Sequence, residues 1–162
     1  NENVFFILIF NSEKFLLDTI KSRCIEFKLS ISNENARLIV NNYFNENIYD
    51  QINSNLLNYY STPFFLISLI NYLNEYELSI SETTVDDLLV YLINNKHFIK
   101  QEFIRDNLNM IIELFFYKHI NTKKKLSYKV KEYYYSKLSN VKKFNLDYET
   151  FFLEFKDKLL SE

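Results

Sequence analysis

The residues best suited to chemistry lie in one short stretch, residues 19–24, with the sequence Thr-Ile-Lys-Ser-Arg-Cys. Arg23 lies there between Ser22 and Cys24. Its guanidinium is a planar, permanently charged fork that binds phosphate or carboxylate oxygens through two parallel hydrogen bonds, a geometry that lysine cannot reproduce. Only three of the 19 Lys and Arg residues are arginines, a bias typical of an AT-rich genome. An arginine kept against that bias indicates a use for the fork, so Arg23 is the first candidate for a functional residue.

The sequence lacks the other common catalytic and metal-binding patterns. A chain without glycine cannot form a glycine-rich phosphate loop or a dinucleotide fingerprint. His97 and His119 do not have the spacing of zinc ligands, and Cys24 is the only cysteine, so no metal site is expected. A Cys–His nucleophile pair is an alternative for Cys24, but a small buried thiol is the favoured interpretation.

Residues 118–143 form a locally basic segment in which tyrosines are interleaved with lysines. Such a combination of lysines and aromatic side chains can bind nucleic acid. The net charge of the whole chain is -2, however, which gives no general attraction for a polyanion. A solvated, lysine-rich helix face is therefore favoured, and nucleic-acid contact stays open as the alternative.

Two predicted strands flank the stretch that contains Arg23. Residues 4–10 are a continuous apolar run, typical of a strand buried on both faces of a parallel sheet. In residues 25–29 apolar and charged side chains alternate, as in a half-buried strand. Ser12 is a candidate cap for a short helix between them. Since two strands cannot form a stable parallel sheet alone, we expect further strands upstream and interpret the chain as a fragment.

From residue 30 onward the pattern is helical. Helices are predicted to begin after the capping residues Ser32 or Asn33, Thr62 (with Pro63 at the first helical position), Thr83 or Thr84, and Asp147. Further helices are predicted over residues 48–60, 99–118 and 126–138. Apolar density drops in residues 77–84, where we place a domain boundary. The predicted fold class is mostly α: the edge of an α/β core, with two strands and a short helix, followed by two helical domains.

The composition limits the class of protein. Hydrophobic residues make up 48% of the chain and charged residues 25%, as in a globular domain. The longest apolar run is far shorter than the roughly 20 residues that a membrane span requires, so no membrane partner is expected. A single cysteine excludes an internal disulfide and fits a reducing, cytoplasmic location.

Residues 6–12, Phe-Ile-Leu-Ile-Phe-Asn-Ser, and residues 16–27, which contain the Ser-Arg-Cys motif, resemble the AAA+ clamp-loader subunits of DNA replication. In that family a buried strand ends in a polar "sensor 1" residue. A short helix then leads to the Ser-Arg-Cys motif and the last strand of the ATPase core. The resemblance places Asn11 at sensor 1 and Arg23 at the arginine finger, with Ser22 supporting the motif.

The resemblance also implies a domain order. Residues 1–29 correspond to the end of the AAA+ core, residues 30–76 to the helical lid and residues 77–162 to the helical collar through which subunits form a ring. Within the family the chain is most similar to the delta-prime group of bacterial DNA polymerase III subunits. Phe64 follows the lid turn without the sensor 2 arginine of an ATP-binding subunit, and residues 144–147, Phe-Asn-Leu-Asp, are similar to the tail of some delta-prime chains.

Such a subunit is a stator that is not catalytic alone and binds no cofactor itself. The resemblance implies that Arg23 reaches, in trans, the ATP–Mg held by a neighbouring subunit, while Asn11 senses the nucleotide state. The implied partners are the other loader subunits through the collar and, through the assembled complex, the sliding clamp and primer–template DNA. Two alternatives stay open: an ATP-binding motor subunit of the same loader, and a non-enzymatic helical interaction module in which Arg23 pairs with a carboxylate.

Overall fold

The computed structural model describes most of the chain, namely residues 6–9, 17–27, 31–57, 61–119 and 126–160. Helices account for most of this part, and no strand occurs among the described residues. The prediction of a mostly α fold is therefore confirmed. The chain divides into two compact units, Asn1–Ile31 and Ser32–Glu162.

The first unit has one short helix, α1 (Asp18–Lys21), among its described residues. Residues 6–9 and 25–27 lie within the two predicted strands, yet they have no regular secondary structure. A strand needs a neighbouring strand to pair its backbone groups, and no described residue supplies one. The two strands of the predicted AAA+ core are therefore not observed in these residues. The predicted cap Ser12 lies outside the described residues.

The described part of the second unit contains seven α-helices, two 3₁₀ turns and a π-helical segment. The α-helices are α2 (Asn33–Phe44), α3 (Pro63–Glu75), α4 (Val85–Asn94), α5 (His97–Lys100), α6 (Glu102–His119), α7 (Tyr128–Phe144) and α8 (Tyr148–Phe155). The 3₁₀ turns are Tyr49–Gln51 and Ser54–Leu56. The π-helical segment, Lys156–Leu160, continues α8.

Side-chain caps determine where several of these helices begin. A side-chain oxygen accepts a hydrogen bond from a backbone N–H of the first turn at Ser32, Thr62, Thr84 and Asp147. Such bonds satisfy N–H groups that have no partner within the helix. Thr84 and Asp87 cap each other reciprocally, which stabilises the start of α4 further. The predicted starts of α2, α3, α4 and α8 are confirmed.

The helix predicted over residues 48–60 is replaced, in its described part, by the two 3₁₀ turns. Asn53 lies between them, and its side chain accepts a hydrogen bond from the backbone N–H of Asn55 at 2.9 Å. Its backbone N–H donates to the carbonyl of Ile80 at 2.9 Å, and its amide donates to the carbonyl of Glu82 at 3.2 Å. These local and tertiary bonds compete with a continuous helix.

Two other predicted helices have different bounds. The helix predicted over residues 99–118 is interrupted at Gln101, whose side-chain amide donates to the hydroxyl of Tyr76. The helix predicted to end at residue 138 continues to Phe144. It ends where Asn145 adopts a left-handed backbone with φ 49°, a conformation that asparagine tolerates better than most residues other than glycine.

One apolar core holds the second unit together. Its fully buried side chains include Leu73 of α3, Leu88 of α4, Phe115 of α6 and Phe155 of α8. These residues come from both sides of the predicted lid–collar boundary at residue 77. The core thus includes side chains from both predicted helical domains, and the division between a lid and a collar stays a prediction.

Candidate functional site

Arg23 lies in a tight turn at the C-terminal end of α1. The backbone N–H of Arg23 donates to the carbonyl of Ile20 at 3.0 Å, and that of Cys24 donates to the carbonyl of Lys21 at 3.2 Å. Bonds of this 3₁₀ type use carbonyls that the end of an α-helix leaves without intrahelical partners. The turn therefore fixes the backbone of Arg23, while the residue itself is exposed.

Ser22 ties this turn to α1. Its backbone N–H donates to the carbonyl of Asp18 at 2.9 Å, and its hydroxyl donates to the carbonyl of Thr19 at 3.2 Å. Both acceptors belong to α1, three and four positions earlier, so neither bond depends on distant parts of the chain. The expected role of Ser22 in supporting the motif stays a prediction.

The guanidinium of Arg23 makes no hydrogen bond or ion pair with any residue in the described ranges. Arg37 differs, because its guanidinium pairs with the carboxylate of Asp50 at 2.5 Å. Lys21 lies in the last turn of α1 and adds positive charge near Arg23 in sequence. The turn therefore presents a charged fork that is available to an anionic group of another molecule.

Cys24 is exposed, so the favoured expectation of a buried thiol is wrong. No residue in the described part of the first unit is buried, and Cys24 therefore has no core there to enter. The large apolar residues near the motif are exposed as well. The exposed fraction is 94% for Ile9, 83% for Ile25 and 80% for Phe27. The motif thus lies between apolar side chains that no described residue covers.

The predicted sensor 1 residue, Asn11, lies outside the described residues, and its role stays a prediction. Within the described ranges, no group of three or more His, Cys, Asp or Glu side chains is placed to hold a metal ion. No helix in the same ranges is both long and apolar enough to cross a membrane.

The structure also reveals a buried polar cluster that the sequence did not indicate. The hydroxyl of Tyr72 lies 2.5 Å from Nδ1 of His97, and the rings of Tyr76 and Tyr91 lie 4.5 and 5.5 Å from the imidazole. Burial lowers the pKa of His97 and raises the pKa of Tyr72 well above its usual value. Both groups are therefore uncharged near neutral pH. The only sequence signal is the i, i+4 spacing of Tyr72 on α3 and Tyr76, the residue directly after this helix.

Carboxylates in the second unit neutralise two lysines of the basic segment and one lysine of the π-helical segment. Lys131 pairs with Glu113 at 3.1 Å, and both Lys137 and Lys158 donate to Glu154. Hydrogen bonds, above all from Lys137, lower the pKa of Glu154 to about 2. Paired lysines of this kind favour the solvated helix face over a continuous track for nucleic acid.

No family model matches the chain, and searches of curated proteins and of solved structures likewise find no match. The assignment of Arg23 and Ser22 to a functional site therefore depends on their motif and on the geometry of their turn. The local hydrogen bonds of the turn, the exposure of Arg23 and the charge of its guanidinium suit this residue to binding an anion. Phosphate oxygens fit this arrangement because the guanidinium fork can donate two parallel hydrogen bonds to them.

Proposed function

We propose that this chain is a DNA replication clamp-loader subunit of the delta-prime type, a stator that supplies Arg23 as an arginine finger to a neighbouring ATPase subunit. One observation carries the proposal. Arg23 is exposed on a turn held by local hydrogen bonds, and no carboxylate in the described part of the chain pairs with it. The alternative in which Arg23 forms an internal ion pair has no such support.

In this mechanism Arg23 stabilises charge in the transition state of ATP hydrolysis. ATP–Mg is bound by the neighbouring subunit, and the guanidinium donates to the γ-phosphate oxygens as negative charge develops there. The bond from the backbone of Arg23 to Ile20 and the hydroxyl bond of Ser22 hold the turn before the nucleotide arrives. Such preorganisation reduces the rearrangement needed during the reaction. The chain therefore assists a reaction that it does not perform alone.

The exposed apolar residues near the motif support the AAA+ part of the proposal. In the proposed core, residues 4–10 and 25–29 are strands that pair with further strands, and side chains such as Ile9 and Phe27 become buried. Full burial of one large apolar side chain stabilises by about 1.5–3 kcal/mol. Asn11 then lies at the end of the first strand, in the sensor 1 position.

The remaining assignments follow from the same proposal. Residues 30–76 form the lid and residues 77–162 form the collar, which joins the other loader subunits into a ring. Through that ring the subunit helps to load the sliding clamp onto primer–template DNA in the cytoplasm. Any sequence encoded upstream of Asn1 tests the subunit type: a degenerate Walker motif is expected for a stator, and an intact one would indicate a motor subunit instead.

A second candidate is a non-enzymatic helical interaction module. One observation favours it: α2 exposes Leu38, Ile39 and Tyr43, with exposed fractions of 54%, 43% and 58%. An exposed apolar helix face is typical of a protein interaction surface. This candidate assigns no chemical role to Arg23, so mutation of the arginine separates the two proposals.

The test is the substitution Arg23→Ala in a clamp loader reconstituted with its cognate subunits. We expect DNA-dependent ATP hydrolysis to fall by roughly tenfold or more, since arginine fingers contribute about 10³–10⁵ in rate to related enzymes and other sites in the ring continue to work. Assembly of the ring, measured by size-exclusion chromatography with light scattering, should be unchanged. Arg23→Lys should restore little activity, because lysine keeps the charge but loses the fork.

Arg105→Ala is the matched control. Arg105 is also exposed, but it lies on α6 in the second unit, so its removal should leave ATP hydrolysis at the wild-type rate. Full activity of the Arg23→Ala loader would rule out the finger. Failure of the unmodified chain to join a ring would instead favour the interaction module.

A further inference from the structure

A groove runs between α7 and the π-helical segment at the end of α8. It has a volume of about 360 Å³ and is lined by Lys129, Val130, Tyr133, Tyr134, Lys158 and Leu159. Val130 and Leu159 are partly buried and give the groove an apolar character, while the two lysines bring positive charge. The groove is large enough for one or two side chains of a partner.

The hydroxyl of Tyr134 has no hydrogen-bond partner among the described residues. The residue is 2% exposed, and its hydroxyl is buried. Burial raises the pKa of Tyr134 to about 12, so the hydroxyl keeps its proton and remains a donor. A buried polar group that lacks a partner destabilises the folded chain, and native structures contain few of them. Tyr134 lines the groove, so an acceptor oxygen carried into it by a ligand would supply the missing bond.

The charged side chains around the groove favour a ligand that carries a single negative group. Lys158 donates to Glu154 at 2.8 Å, Lys137 donates to the same carboxylate, and Asp157 is close enough to influence Tyr134. Lys129 is exposed and pairs with no carboxylate in the described part of the chain. Three lysines and two carboxylates therefore leave a surplus of one positive charge. That surplus suits a single carboxylate better than a run of phosphates, which requires several available lysines in line.

One wall of the groove has an uncommon backbone. Lys158 and Leu159 belong to the π-helical segment, in which hydrogen bonds span five residues rather than four. π-helical turns are rare and occur frequently at functional sites, where they reposition side chains. Here the segment brings a lysine and a leucine to the same groove. The backbone therefore supports a binding role independently of the charges and of Tyr134.

From these observations we infer that the groove binds a short acidic–apolar peptide segment of a partner protein. An apolar side chain of the peptide lies against Val130 and Leu159. A neighbouring carboxylate lies between Lys129 and Lys158, with one oxygen accepting a hydrogen bond from the hydroxyl of Tyr134. This site lies in the second unit and does not depend on the proposed role of Arg23.

The test uses fluorescence anisotropy with the whole chain and a fluorescein-labelled hexapeptide that combines glutamate with leucine and phenylalanine. The peptide should bind, and replacing its glutamates by glutamine should weaken binding roughly two- to fivefold, the usual effect of losing an exposed ion pair. Replacing leucine and phenylalanine by serine should abolish binding. Added salt should weaken binding of the acidic peptide more than that of the glutamine peptide.

Variants of the chain locate the site. Lys129→Gln should weaken binding as much as removing the peptide's charge, whereas Lys143→Gln, on the same helix but outside the groove, should have no effect. Tyr134→Phe should weaken binding without lowering thermal stability, because it removes a hydroxyl that has no partner in the free chain. A hydroxyl with a merely structural role would affect stability and leave affinity unchanged.

Three results would overturn the inference. The first is equal binding of the acidic peptide, its glutamine version and its serine version, or binding of none of the three. The second is an equal effect of Lys129→Gln and Lys143→Gln on affinity. The third is tighter binding of a labelled single-stranded oligonucleotide than of the acidic peptide, sensitive to the same Lys129→Gln change, which would assign the groove to nucleic acid.

Discussion

The two units of the chain differ in whether their described apolar side chains are buried. In the first unit no described residue is buried, and apolar side chains such as Ile9 and Phe27 are exposed. In the second unit aromatic residues from three helices meet in an apolar core, where the rings of Phe115 and Phe155 lie 5.2 Å apart. The residues with the clearest chemical signal thus lie in the unit whose described residues form no core. The buried residues that stabilise the fold lie in the other unit.

This difference shows that the candidate site depends on interactions between residues close in sequence, whereas the core depends on interactions between residues far apart in sequence. The turn at Arg23 is held by hydrogen bonds to residues three positions away. The core of the second unit depends on contacts between helices that are far apart in sequence, such as the ring contact between Phe98 and Phe152 at 4.5 Å. A short motif can therefore identify the turn, whereas no short motif identifies the core.

The largest expected difference in the free energy of unfolding is between two variants that each remove one aromatic side chain, one variant in each unit. Phe155→Ala should lower the free energy of unfolding by about 3–5 kcal/mol, because the fully buried ring leaves a cavity in the core. Phe27→Ala should change it by less than about 0.5 kcal/mol, since the ring is 80% exposed. Urea unfolding followed by circular dichroism measures both. A large loss from Phe27→Ala would show that the first unit contributes to the same cooperative transition.

A smaller contrast is expected between two hydroxyl groups at helix ends. Thr84→Ala should destabilise the second unit by about 1 kcal/mol, because it removes the capping box at the start of α4. Ser22→Ala should cost only a few tenths of a kcal/mol of global stability, since α1 is short and buries no residue. Thermal unfolding of both variants tests this order. Equal losses would contradict the idea that only the second unit determines global stability.

The smallest expected effect is a pH dependence that arises in the second unit alone. Burial lowers the folded-state pKa of His97 below the 6.5 of an exposed histidine. Between these two values the unfolded chain binds more protons than the folded chain. Stability should therefore be complete above about pH 6.5 and should decrease as the pH falls toward the lowered pKa. Unfolding free energies measured between pH 8 and pH 5 test this, with His97→Gln expected to flatten the slope.

Titration of Glu154 at lower pH provides a control for that experiment. The pKa of Glu154 is lowered to about 2, so its contribution is present above about pH 4.5 and is lost only as the pH falls below that value. The two pH ranges are separate. If His97→Gln left the slope above pH 5 unchanged, burial of the His97 imidazole would not be the origin of the pH dependence.

Local signals in the sequence predicted most of the helical fold. The sequence predicts Thr62 and Asp147 as caps and includes Ser32 and Thr84 in two pairs of candidates, because a cap is a bond between neighbouring residues and its pattern is visible in the chain. These features need no knowledge of which elements pack together.

Features set by distant parts of the chain were not predictable in the same way. Asn53 interrupts a predicted helix because it bonds to residues 80–82, about 30 positions later. The groove next to Tyr134 requires α7 to lie beside the π-helical segment, a pairing that hydrophobic periodicity does not encode. The two predicted strands are not observed in the described residues for a related reason, since a strand forms only where a partner strand pairs with it.

The aromatic side chains of α8 have a consequence for how the protein folds during synthesis. Phe151, Phe152 and Phe155 fill the core against residues translated much earlier, and Lys156 donates to Asn94 across 62 positions. Until these residues have left the ribosome, Phe98 and Phe115 lack the rings that cover them. The second unit must therefore complete its folding late in translation, with apolar surface open to chaperones until α8 arrives.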